Sequence, residues 1–269
     1  MPKASQNRIQ KFIRLCEKQD YFRDQKLTIG ESIHAGTRNR CWVIRSGEDK
    51  YLARLGRELA DNLLTNWQKE IEINQFAAQV GLSTAAIFVD PSNLSAIYPW
   101  CGEPLDREDL TEAIISELGE KLGLLHITDA PAGAIGYCQT IESYLSLIGA
   151  NSADDSRMSD VGELLELADQ WDQSREQCFC HHDLHPGNIL WNGETCTLID
   201  WEYARLAHPL FDLASLCYYF HLSDAQLVVL LQNYPSSRYS AQQIRTAERM
   251  VVGLERLWCE ATKLAFKNC

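Results

Sequence analysis

The stretch Cys180-His181-His182-Asp183-Leu184-His185-Pro186-Gly187-Asn188-Ile189-Leu190-Trp191, followed beyond Asn192-Gly193 by Thr195-Cys196-Thr197-Leu198-Ile199-Asp200-Trp201-Glu202-Tyr203, decides how this chain folds. Ile189-Leu190-Trp191 and Thr195 to Ile199 are short runs of β-forming residues, and Asn192-Gly193 supplies the turn chemistry that closes a tight hairpin between them. An antiparallel ribbon carries its two outer ends to one place, so Asn188 and Asp200 are expected at the same end, with Asp183 five residues upstream of Asn188. Three oxygen-bearing side chains are thereby expected to converge.

That combination suits phosphoryl transfer, which needs a carboxylate to accept the proton of an attacking hydroxyl and hard oxygen ligands for Mg2+ on the nucleotide phosphates. Asp183 fits the base, and Asn188 and Asp200 fit the metal ligands. His-x-Asp with an Asn five residues after the Asp is the kinase catalytic-loop pattern, and a second Asp follows at the far end of the hairpin. The run His182 to Leu190, then Ile199-Asp200-Trp201-Glu202-Tyr203-Ala204 and Pro209-Leu210-Phe211-Asp212-Leu213-Ala214, resembles the aminoglycoside phosphotransferase and choline kinase superfamily. The Asp-Trp-Glu-Tyr form looks most like its bacterial choline kinase and thiamine kinase relatives. The resemblance implies an α+β, protein-kinase-like fold with a small antiparallel-sheet lobe at 1–98, a hinge at 99–104 and a mostly helical lobe at 105–269. It also implies ATP and Mg2+ as cofactors, Asp183 as catalytic base, and Asp212 and His185 as structural residues of the loop.

The amino-terminal third agrees with this expectation. Turn-punctuated alternation from Lys26 to Leu55 predicts a small antiparallel sheet, and Asp61 to Val80 predicts a helix ended by Gly81. Further short strands are expected at Ala86–Val89 and Ser95–Tyr98, after which Pro99 to Pro104 should interrupt regular structure. The segment His34 to Arg40, with Gly36, Thr37 and Asn39, looks like the family's nucleotide-covering loop; its bland reading is an ordinary hairpin turn. Arg54 stands where protein kinases place a phosphate-binding lysine, and Glu70 or Glu72 in the following helix is its candidate ion-pair partner, Glu70 being preferred. Ile97 to Gly102, with Tyr98 and Trp100, resembles the hinge that receives adenine. Leu118 to His126 resembles the helix beneath the catalytic loop, where a histidine serves as a buried hydrogen-bonding group. Downstream helices are expected at Glu108–His126, Thr140–Leu147, Asp160–Glu176, Phe211–Leu222, Ser223–Tyr234 and Ser240–Lys267.

Composition limits the partners. With 25 Lys and Arg against 37 Asp and Glu, the formal charge of −12 is the wrong sign for gripping nucleic-acid phosphates. The longest apolar stretch, Leu210 to Phe220, is cut by Asp212 and is too short for a bilayer, so no membrane association is expected. Met1 to Asp20 reads as an amphipathic helix behind a Ser5 cap, with Ile9, Phe12, Ile13 and Cys16 on its apolar face, rather than as an export signal. Ten scattered cysteines without such a signal read as reduced thiols of a cytoplasmic protein, a monomer or homodimer. Two zinc readings are set aside: His181 and His185 are four apart, but Pro186-Gly187 ends any helix there, while Cys178 and Cys180 lack a second pair at zinc-ribbon spacing and read as small buried hydrophobes.

The region around Trp201, Glu202, Tyr203, Phe211, Tyr218, Tyr219, Glu255, Trp258 and Glu260 is aromatic and acidic, a composition that suits a small cationic alcohol such as choline, ethanolamine or thiamine. Glu202 and Trp258 are the expected substrate contacts; the bland reading makes most of these rings core. Arg205-Leu206-Ala207-His208 departs from the small residues and acid usual in relatives and is expected to reshape the acceptor pocket. An aminoglycoside phosphotransferase and a non-catalytic nucleotide-binding module of the same fold are the alternatives, and GTP in place of ATP stays open.

Overall fold

The computed structural model describes residues 3–33, 39–56, 66–149, 155–235 and 239–267. It divides into two compact units, the first comprising Met1–Pro104 and Leu190–Glu202, the second Leu105–Ile189 and Tyr203–Cys269. The chain therefore returns to its first unit for the hairpin and then leaves it again.

The first unit is built on a five-stranded antiparallel sheet of order β1-β2-β3-β5-β4, with β1 at Thr28–Ile33, β2 at Asn39–Ser46, β3 at Asp49–Gly56, β4 at Phe88–Asp90 and β5 at Ser95–Pro99. Helix α1 (Lys3–Cys16) packs Ile9, Phe12, Ile13 and Cys16 against Trp42, Ile44, Tyr51 and Ile97 of that sheet. Full burial of each large side chain contributes about 1.5–3 kcal/mol. Ser5 lies within α1 instead of capping it, since the helix already runs from Lys3. Helix α2 (Trp67–Gln79) starts at Asn66, whose Oδ1 accepts from Lys69 N at 3.1 Å; residues 61–65 of the expected helix lie outside the described residues.

The segment 99–104 is less irregular than expected. Strand β6 (Glu103–Pro104) pairs antiparallel with β8 (Ile189–Trp191), in the register Glu103↔Trp191 and Pro104↔Leu190. Beyond the Asn192-Gly193 turn comes β9 (Cys196–Leu198), which follows β8 in the same sheet, and Leu198 N donates to Leu82 O at 2.9 Å. Asn192 Oδ1 closes the turn by accepting from Glu194 N and Thr195 N, both at 2.9 Å. Gly102 makes the β6–β8 approach possible: its φ is +134°, and a Cβ there would lie 2.5 Å from Trp191 O.

In the second unit, α6 (Leu210–Tyr219) is buried from Leu210 to Cys217 and packs on the long helix α8 (Ala241–Lys267). Around them stand α3 (Glu112–Ile127), α4 (Tyr137–Ile148), α5 (Asp155–Asp172) and α7 (Asp224–Asn233). Several boundaries differ from periodicity because side chains set them. Thr111 Oγ1 caps Ile114 N at 3.3 Å and delays α3 to Glu112; Asp172, the last residue of α5, accepts from Tyr137 N at 2.7 Å and Cys138 N at 3.0 Å and so opens α4 three residues early. An unexpected two-stranded sheet joins β7 (Cys178–Cys180) to β10 (Arg205–Ala207). Among the described residues no helix is long and apolar enough to cross a membrane.

Gly102→Ala combines a disfavoured backbone conformation with a collision against Trp191. It is expected to lower the unfolding free energy by about 1–3 kcal/mol, read by urea denaturation followed through tryptophan fluorescence.

Candidate active site

Strand β3 carries Arg54 into the interior of the first unit, where it is 8% exposed. An unpaired guanidinium would be untenable there, and three acceptors surround it. Arg54 pairs with Glu70 of α2, donates from Nη2 to Asp200 Oδ1 at 2.8 Å, and donates from Nε to the Asn39 side-chain oxygen at 2.9 Å. Burial opposes the charge of Arg54, but Asp200 and Glu70 together more than offset it and hold its pKa well above the ordinary value. Burial pushes the Glu70 carboxyl up while Arg54 opposes the rise, and burial likewise raises the Tyr98 phenol, which bonds Arg54. The choice between the two glutamates is thereby made. Glu72 is bonded by Gln68 Nε2 at 3.3 Å on an exposed face.

Asp200 follows β9 with φ +65°, a left-handed conformation that aspartate accepts more readily than most residues. Carboxylate oxygens of Glu70, Asp200 and Glu202 all lie within 4.8 Å of one another. Glu202, expected at the acceptor, thus stands with the residue expected to hold the metal, and three hard oxygen donors fit a Mg2+-type cation. Trp100 lies beneath Lys50 Nζ, 4.7 Å from the ring centroid. Gly36 and Thr37 lie outside the described residues.

In the second unit the loop after β7 carries Asp183. Asp212, fully buried on α6, accepts from His181 N at 2.8 Å and His182 N at 2.9 Å, and its Oδ2 lies 3.3 Å from His126 Nε2 at the end of α3. His126 Nδ1 is 2.8 Å from the Tyr234 hydroxyl, which makes this histidine the buried bonding group that the sequence suggests. The loop then turns sharply at His182, φ +67°. Its ring stacks on Phe211 at 3.8 Å between centroids, and Arg205 Nη2 lies 2.9 Å from its Nε2. Burial, with Arg205 adding to it, drives the His182 pKa well below 6.5, so the ring is neutral and accepts from Arg205. Arg205 also donates to Thr140 Oγ1 at 2.9 Å. The departure from pattern at Arg205 therefore braces the loop that carries Asp183.

Asn188 Nδ2 donates to Asp183 O at 2.9 Å and to Asp183 Oδ2 at 2.8 Å, fixing that carboxylate from both its backbone and its side chain. His185 Nδ1 accepts from Gly187 N at 3.1 Å, so any proton on a neutral ring sits on Nε2, 3.8 Å from Asp183 Oδ2. Tyr219 of α6 lies near His185, their ring centroids 6.0 Å apart. Burial first, then Glu255 and Asp183, raise its phenol pKa. Trp258 Nε1 donates to Tyr203 Oη at 3.0 Å. Nothing in the residue order marks Asn39 or Arg205 as a brace, since each finds its partner through tertiary folding.

Residues 30–242 match the family model described as "Phosphotransferase enzyme family". The chain belongs to this phosphotransferase family. The LicA protein of Haemophilus influenzae is 31% identical over 111 residues, which cover 39% of this chain and 42% of that protein, so the match spans about two fifths of the curated relative. Choline kinase LicA of Streptococcus pneumoniae superposes with a TM-score of 0.75 at 19% identity, covering 95% of this chain and 91% of the other. A choline/ethanolamine kinase family protein of Mesorhizobium loti gives 0.76 at 18% identity, covering 97% and 87%. These likenesses establish the protein-kinase-like fold.

His182 yields a pH prediction. The unfolded chain takes up a proton near pH 6.5 that the folded ring refuses, so stability present above that pH declines as the pH falls below it. In urea titrations between pH 7 and 5, wild type should lose about 2 kcal/mol more stability than His182→Gln, the difference in slope approaching about 1.4 kcal/mol per pH unit, that of one proton, at the acid end. Parallel slopes would remove His182 from this role.

Proposed function

We propose that this protein is an ATP-dependent small-molecule kinase that transfers the γ-phosphoryl group to the hydroxyl of a small cationic alcohol of the choline, ethanolamine or thiamine type. The observation that carries the reading is the fixing of Asp183 by Asn188, at 2.8 Å to its carboxylate, in a loop clamped by Asp212. Phosphoryl transfer asks the protein mainly for positioning and charge stabilisation, and an aligned carboxylate is the group that receives the hydroxyl proton.

In this scheme Asp183 accepts that proton and Asn188 keeps its oxygens oriented. His185 steadies the loop through Gly187. Arg54, held by Glu70 and Asn39, directs its guanidinium to phosphate oxygens, while the segment of Gly36 and Thr37 covers the nucleotide and Tyr98 and Trp100 belong to the segment that receives adenine. Asn188 and Asp200 are the Mg2+ ligands, with Glu202 adding negative charge beside Asp200. The cation supplies neutralisation of charge on the β and γ phosphates. For the acceptor, Trp258 with Tyr203 and the Tyr219–Glu255 neighbourhood offers aromatic faces and negative charge to a cationic head group. Glu202 also contributes to that attraction. The names of the structural neighbours, choline kinase and choline/ethanolamine kinase, support the same acceptor class.

The test is ADP release over choline, ethanolamine, thiamine, sugars, homoserine and aminoglycosides. Turnover is expected with a cationic alcohol, and Asp183→Asn should reduce kcat by at least about 10^3-fold while nucleotide affinity stays within a few-fold. Turnover confined to aminoglycosides would replace the acceptor reading. ATP binding without turnover on any acceptor would leave a nucleotide-binding module.

A further inference from the structure

The second unit holds a cluster of a different chemical kind, in which a third donor distant in sequence, His126, reopens the zinc reading that the spacing of Cys178 and Cys180 alone had set aside. Cys178 and Cys180 occupy alternate positions of β7 and therefore share one face of the strand, with their sulfurs 3.7 Å apart. The end of α3 brings His126 to them, so that one ring nitrogen and both sulfurs lie within 4.8 Å of one another. We propose that His126, Cys178 and Cys180 form a binding site for a thiophilic divalent cation of the zinc class.

The geometry favours a metal over a disulfide. Two thiolates bound at about 2.3 Å to a tetrahedral zinc stand about 3.7–3.8 Å apart, so the sulfurs already have the required spacing. A disulfide would need them at about 2.05 Å, from residues whose Cα atoms in one strand are about 6.6 Å apart, near the limit such a bridge spans. Two thiolates and an imidazole are soft to borderline donors, unlike the carboxylates of the first unit, so the two clusters select different cations. Cys180 and the His126 ring are buried, whereas Cys178 is only partly buried and gives the cation a way in. Binding releases the two thiol protons to solvent and leaves the fourth coordination position to water. Burial of Cys180 opposes its ionisation, an opposition that a divalent charge at the sulfur reverses.

Occupancy has a route to the catalytic loop. Both ring nitrogens of His126 are engaged, one with Tyr234 and one with Asp212, so ligation through either replaces one of these bonds. Asp212 is the residue that holds His181 N and His182 N.

The test uses the full chain, reduced and stripped with chelator, titrated with Co2+ and then Zn2+. A thiolate-to-cobalt charge-transfer band should saturate at one equivalent and vanish on addition of one equivalent of Zn2+, and Zn2+ should raise the melting temperature. Cys178→Ser and His126→Gln, checked for folding by circular dichroism, should each weaken cobalt binding by at least about tenfold, and Cys178→Ser should also reduce the band's intensity. Cys138→Ser should leave both unchanged. Absence of the band at one equivalent, its full retention in Cys178→Ser, or its loss in Cys138→Ser would overturn the proposal. Phosphotransferase activity enters none of these readouts, so the outcome is independent of the acceptor.

Discussion

Asp212 is wholly removed from solvent on α6, where a carboxylate is sustainable only if its oxygens are fully engaged. Two of its partners are consecutive backbone N–H groups, His181 and His182, at a point where the chain leaves β7 and turns through a left-handed residue. Charge-assisted bonds of this kind are worth about 1.5–3 kcal/mol each, enough to offset the conformational cost of the turn. Everything downstream inherits its position from that anchor: the neutral His182 ring against Phe211, then Asp183, then Asn188 reaching back to it. The loop's course is set by polar atoms committed to one another.

The first unit solves a comparable problem with opposite charge. Arg54 sits inside a sheet-and-helix core and is neutralised by Glu70, Asp200 and the Asn39 amide. Two carboxylates to one guanidinium leave the neighbourhood net negative, and Glu202 extends that excess. A cation is then electrostatically welcome where Asp200 stands, while the fork of Arg54 is held in a fixed direction by its partners.

Much of this was legible in the residues because the information is local. The Asn192-Gly193 hairpin, the order of Asp183, Asn188 and Asp200, and the helices of the second unit depend on turn chemistry and on a period of 3.6. What was not legible depends on residues distant in sequence. Glu70 and Glu72 are two positions apart, about 200° around a helix, so only one can face Arg54, and only packing decides which. The β7–β10 pairing converts Arg205 from an anomaly into a brace, and His126 finds Asp212 across 86 residues of chain. No spacing rule sees such partners. The Ser5 boundary failed for a humbler reason: the helix already includes that residue, which therefore does not cap it.

The first unit draws residues 190–202 from late in the chain, and with them the Asp200 carboxylate, which meets Arg54 across 146 residues. During synthesis the sheet around Arg54 therefore emerges from the ribosome well before one of the charges that balances its guanidinium. Until that hairpin arrives, the nascent sheet carries a buried cation with incomplete compensation, and Glu103–Pro104 waits without the strand it pairs with. Completion of the amino-terminal half thus waits on translation of the carboxy-terminal half, and no single cut in the chain yields either unit whole.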